Sequence, residues 1–96
     1  MPTEKEKMLT GALYNPADPE VNDLREKAHR LCRAYNNAVT DDNKKDLLQQ
    51  LLPHQGSGLY IEPPFFCDYG EHIHAGDAVY FNTNCVILDS APVTIG

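Results

Sequence analysis

The sequence predicts an α+β chain: a helical first half, residues 1–58, followed by a second half, 59–96, built from short stacked strands. Three observations predict it. Charge and composition change abruptly along the chain, the first half carries helix caps and apolar stripes, and the second half repeats every six residues. All eight Lys and Arg residues lie in positions 1–60, whereas positions 61–96 hold five acidic residues and no basic one. The composition shifts with the charge, toward Pro, Gly, Val, Ile and aromatics, so a boundary is expected near Gly56-Ser57-Gly58.

The helices are justified in order. Thr3 and Glu6 have the spacing of a capping box, which predicts a short helix over roughly 4–12 with Gly11 near its end. Asp18 is a good N-cap, with Pro19 at the first helical position and Glu20 at the positive end of the dipole. From there Val21, Leu24, Ala28, Leu31, Cys32 and Tyr35 recur at spacings of three and four. Their single apolar stripe predicts an amphipathic helix to about Asn37. A third helix is expected after Thr40 or Asp41, carrying Leu47, Leu48, Leu51 and Leu52 and ending at Pro53.

The second half breaks helical rules with Pro63, Pro64, Gly70, Gly76 and Pro92. Stepping by six connects Pro63, Tyr69, Ala75, Phe81 and Ile87, and four residues after each stand Cys67, Ile73, Val79, Cys85 and Ala91. Ile95-Gly96 resumes the Ala75-Gly76 pattern after two extra residues. Three short strands and three tight turns make a triangular coil of about 18 residues, which buries a continuous core only by stacking on its neighbours. The same spacing also fits an ordinary antiparallel sheet.

The bulk numbers exclude several function classes. A net charge of −6 lacks the basic footprint that a nucleic-acid backbone needs. The sequence has no apolar run of about 18 residues, so no membrane-spanning helix is expected. Charges occupy the N-terminus where a secretory signal needs its hydrophobic stretch, and a cytoplasmic protein is the expectation. Three widely spaced cysteines, Cys32, Cys67 and Cys85, do not form a disulfide framework and read as reduced, buried thiols.

Several phrases together resemble the maltose and galactoside O-acetyltransferases, a family of hexapeptide-repeat acyltransferases. They are Glu4 to Met8, Gly11-Ala12-Leu13-Tyr14 and Arg33-Ala34-Tyr35-Asn36, then Tyr60 to Phe65, Asp68-Tyr69-Gly70 and Ile73 to Asp77. Phe81-Asn82, Leu88-Asp89 and Val93 to Gly96 continue the likeness, which is greatest for the maltose acetyltransferases and runs in order along nearly the whole chain. The resemblance implies a helical cap on a left-handed parallel β-helix, a homotrimer, and acetyl transfer from acetyl-CoA to a sugar hydroxyl. It also implies a general-base histidine, suited by its near-neutral pKa, in a coil beyond Gly96, with the CoA channel in later coils. The chain is therefore expected to carry part of the acceptor side only, and to look shortened beside the family.

The resemblance places Asn82 at the acceptor, where an amide can donate to and accept from a hydroxyl. It places Tyr80, Asp68, Asp89 and Ser90 at further acceptor-side positions. Tyr80 could stack on a sugar face, although a strand aromatic more often packs, and Asp89 with Ser90 equally suits a structural turn. The family's N-terminal aspartate is replaced here by Asn15-Pro16, leaving Asp18, two residues on, as a candidate that also serves as a helix cap. His72 and His74 share an i,i+2 spacing near Cys67, but no zinc pattern results, the coil is expected to turn both outward, and no metal is expected. Two other functions compete with the enzyme: a non-catalytic trimerising or regulatory module, and a small sugar-binding domain.

Overall fold

A computed structural model describes residues 3–96. Its elements are α1 (Glu4–Leu9), α2 (Pro19–Asn37) and α3 (Asp41–Leu51), then β1 (His54–Gln55), β2 (Tyr60–Ile61), β3 (Phe65–Cys67), β4 (Ile73–Ala75), β5 (Tyr80–Phe81), β6 (Cys85–Ile87) and β7 (Val93–Ile95). Each helix begins at the expected cap. Thr3 Oγ1 accepts from Glu6 N, Asp18 Oδ2 from Glu20 N and Val21 N, and Thr40 Oγ1 from Asn43 N. These side chains satisfy backbone donors that a helix start leaves without partners. The first helix is shorter than expected, because Gly11 turns the chain at φ 81° and the regular element stops at Leu9.

The strands pair only in parallel, as β1-β4-β7, β2-β5 and β3-β6, so the antiparallel alternative is excluded. Three narrow ladders form the sides of a triangular, left-handed parallel β-helix capped by the three helices. Register fixes the coil length. Tyr60 lies over Tyr80, Phe65 over Cys85 and Ile73 over Val93, so one turn takes 20 residues rather than about 18. The two extra residues sit in the corner between the third and first sides, 68–72 in one coil and 88–92 in the next. Strict stepping by six therefore misplaces residues near that corner. Cys67, Ile73, Ala75 and Phe81 do point into the core, but Ala91 is exposed, Pro63 is half-buried at another corner, and Tyr69 packs outside the prism with Met8 and Val21. The first strand also starts before the compositional boundary, at His54, because α3 ends at Leu51, just ahead of Pro53.

One core runs from cap to prism. Ala28, Cys32 and Tyr35 of α2 meet Leu48, Leu51 and Leu52, and these cover Ile61, Phe65, Cys67, Ile73 and Phe81. The cap also finishes the first coil's free strand edge. The Asn36 amide donates to Phe65 O at 3.0 Å and accepts from Phe65 N at 2.9 Å, standing in for a neighbouring strand. The Tyr35 hydroxyl donates to Ile61 O. Gln55 Nε2 donates to Leu48 O and Leu52 O, closing the carbonyl end of α3. Side chains of the second coil are less covered: Cys85, Ile87 and Ile95 are half-buried where Phe65, Cys67 and Ala75 are buried.

Candidate acceptor face

The residues expected at the acceptor divide between two corners and the cap. Tyr80 belongs to β5, and Asn82 follows in the corner that leads to β6. Tyr80 is exposed and stacks on Tyr60 one coil above, with ring centroids 5.6 Å apart and planes 10° from parallel. Asn82 is exposed as well. Its Oδ1 accepts from Thr83 N at 2.8 Å, which holds the carbonyl against the turn and leaves the two N–H donors of Nδ2 for other partners. Thr83 Oγ1 in turn donates to Pro63 O at 2.9 Å, and Asn84 adopts a positive φ of 63°, so the corner is tightly specified.

Asp68, Asp89 and Ser90 lie at the next corner, on the far side of β6 from Asn82. Asp68 is half-buried, and its Oδ1 meets His29 Nε2 of α2 at 3.1 Å. Asp89 is fully buried. Its Oδ1 accepts from Asp68 N at 3.1 Å and Tyr69 N at 2.9 Å, and its Oδ2 from Gly70 N at 2.7 Å. One carboxylate thus takes three successive backbone donors from the corner above, and both of its oxygens are engaged by protein. Ser90 beside it is half-buried. Asp18 is occupied as the N-cap of α2.

The histidine pair does not behave as the i,i+2 spacing predicts. His74 is exposed in β4 and stacks on His54, centroids 4.7 Å apart. His72 is buried instead of facing outward: it precedes the strand, in a corner where Gly70 has φ 77°, so strand alternation does not apply. Its Nδ1 lies 2.7 Å from Asp89 O, which requires the proton on that nitrogen, and its ring rests on Tyr69 at 5.0 Å. Among the described residues no group of three or more His, Cys, Asp or Glu side chains converges on a metal-sized site. The Cys32 and Cys67 sulfurs approach to 3.9 Å inside the core, where the Cys32 contact and burial push the Cys67 thiol up.

The family model of the maltose acetyltransferase hexapeptide capping motif matches residues 7–56. The chain belongs to this acetyltransferase family. Its cap and coils are similar to a maltose O-acetyltransferase from Clostridium difficile 630, at a TM-score of 0.91 and 34% identity, covering 99% of this chain and 53% of that one. They are also similar to a hexapeptide-repeat acetyltransferase from Vibrio cholerae in complex with acetyl coenzyme A, at 0.89 and 38%, covering 99% and 52%. Nodulation protein L of Rhizobium meliloti (strain 1021) is 46% identical over 96 residues, 98% of this chain and 52% of its own. The chain spans about half the length of the curated relatives it matches.

Sequence reasoning missed the His29–Asp68 pair and the burial of His72. No local signal announces the first, since the partners are 39 residues apart and meet only when α2 packs on β3. Once the coil length is known, the second could be read from Asp89, which stands in the same long corner one coil below.

Proposed function

We propose that this chain supplies the cap and acceptor side of an acetyl-CoA-dependent enzyme that acetylates a hydroxyl of a maltose- or glucose-like sugar. The observation that carries the reading is the near-complete superposition of cap and coils on a maltose O-acetyltransferase. In this reading Asn82 Nδ2 donates to an acceptor hydroxyl, Tyr80 presents a ring edge to the sugar, and Asp68 accepts through the oxygen that His29 does not use. Asp89 and Ser90 act on the acceptor only through the corner they hold, and Asp18 through its helix. The donor, acetyl-CoA, and the general-base histidine are assigned to coils following Gly96, as the resemblance implies, with the working unit a cytoplasmic homotrimer. Free thiols at all three cysteines suit a reducing compartment.

A second statement is that the 96 residues alone are non-catalytic, because the resemblance assigns the general base to a coil after Gly96 and gives none of the four histidines present that place. His29 faces Asp68, His54 and His74 stack together, and His72 is buried against Asp89. The test is sugar-dependent release of CoA, with acetylated maltose identified by mass spectrometry. Protein expressed from the whole reading frame turns over, and Asn82→Ala lowers kcat/KM about tenfold to a hundredfold, the worth of one hydrogen bond to the reacting group. The 96-residue chain gives no turnover. Failure of the whole product with every sugar in a panel of glucosides and galactosides refutes the enzyme reading; turnover by the 96 residues refutes the second statement.

A further inference from the structure

A second concave surface adjoins the acceptor side, touching it where Tyr60 stacks on Tyr80, but none of the acceptor residues lines it. It is a cleft of about 700 Å³ between α3 and the first corner of the prism. Asp41, Lys44, Lys45 and Gln49 line it from the helix, and Ser57 and Tyr60 from the coil. The size is that of a small-molecule site, and so is the chemistry, with Tyr35, Leu48, Leu59, Tyr60 and Ile61 interleaved with the charged and amide side chains.

The ring is held in place. Tyr80 covers one face of Tyr60 in a near-parallel stack, and Glu62 Oε1 accepts from the Tyr60 hydroxyl at 2.8 Å. The side chain lines the cleft and is half exposed. The two neighbouring ammonium groups of Lys44 and Lys45 make no ion pair among the described residues, although the chain carries a net charge of −6. The backbone at the turn is not an anion nest: Ser57 N already donates to Asp77 Oδ1 at 2.8 Å.

A flat aromatic face with donors and acceptors of both kinds around it matches one ligand class well. A pyranose ring has an apolar C–H face to lie on the phenol and a rim of hydroxyls that both donate and accept. Lys44, Lys45 and Gln49 supply donors to that rim, and Asp41, Gln49 and Ser57 supply acceptors. We propose that this cleft is a pyranose-binding subsite centred on Tyr60, next to the acceptor-side Tyr80 but lined by other residues than those assigned to the proposed reaction. A neutral glycoside and a sugar phosphate share the ring chemistry, and Lys44 with Lys45 would favour the second.

The test is two-dimensional NMR of the isotope-labelled 96-residue chain, titrated with methyl glucoside and, in a parallel arm, with glucose phosphate. Saturable shifts are expected at Lys44 to Gln49 and at Gly56 to Ile61. Tyr60→Ala should weaken binding about tenfold, as expected for loss of an aromatic face. Tyr60→Phe should keep it, because the ring remains. Lys45→Met, at an exposed position on α3, should weaken the sugar phosphate more than the glycoside. Saturation by the glycoside identifies a neutral sugar site, and saturation by the phosphate alone a charged-sugar site; both support the subsite. Silence of the cleft signals with both sugars overturns it, as do shifts confined to Asn82 and Asp68. The last result would leave the proposed acetyl transfer standing, while cleft binding by a protein without transferase activity would separate the two in the other direction.

Discussion

Replacing Asp89 by Asn tests whether a buried carboxylate holds the two coils together. The side chain is inaccessible, and its two oxygens accept from three backbone N–H groups of the corner above, at 3.1, 2.9 and 2.7 Å. Asparagine keeps one acceptor oxygen but turns an NH₂ toward a donor. If that group faces Gly70 N, two hydrogen donors confront one another and one N–H loses its partner. A hydrogen bond to a charged group is worth about 1.5–3 kcal/mol, and the orphaned donor adds a desolvation cost of similar size, so a loss of about 2–4 kcal/mol is expected. A chain of this size has about 5–14 kcal/mol in total. At about 4–8 °C per kcal/mol, the melting temperature should fall by about 8–32 °C. Circular dichroism melts of parent, Asp89→Asn and Asp89→Ala measure it, and alanine should be the worst because it leaves all three donors unpaired. A variant that melts with the parent while losing sugar affinity would refute the structural reasoning and make Asp89 an acceptor contact.

Three further outcomes follow from the same geometry. Gly70→Ala should destabilise by about 2–4 kcal/mol in urea titrations, because φ is 77° and a Cβ there would run into the Leu51 carbonyl. Asn36→Ala should cost about 2–3 kcal/mol by leaving both polar backbone groups of buried Phe65 unpaired, with faster hydrogen exchange at the Phe65 amide as its signature. Burial, then the charges of Tyr60 and Glu62, push the Tyr35 phenol from an ordinary 10 up to about 12. The folded state thus binds this proton more tightly than the unfolded chain. The contribution is fully present below pH 10 and is lost as pH rises from 10 to about 12. Tyr35→Phe should flatten the fall in stability across that window, and an unchanged slope would rule the residue out as its source.

Much of the fold was legible because its signals are local. Thr3, Asp18 and Thr40 announce their helices by side chains that reach backbone donors two or three residues ahead. The strands were visible through Ile73, Phe81 and Cys85, which keep the six-residue step across the shorter corners. The length of the coil was less legible. Its sign was the displaced Ile95-Gly96, and the strand register, Tyr60 over Tyr80 and Ile73 over Val93 alike, shows that both coils carry the surplus. The site was harder still. Asp89 reads equally as sugar ligand or turn residue until three amide groups are seen converging on it. The family-like phrase Tyr35-Asn36 has a physical meaning that no helix rule contains, since its task is to complete the edge of strands 26 and 29 residues further on.

The long corner also constrains how such a chain can change. Its five connecting residues recur in both coils, as do four and three at the other corners, so the sides stay aligned only because equal lengths lie one above another. A residue gained in one storey alone would shear every ladder beneath it. Growth of this prism is therefore tolerated in matched pairs, and the protruding corner, already bolted to the helical roof by Gly70 and Tyr69, is where the outline has been enlarged without bending its walls.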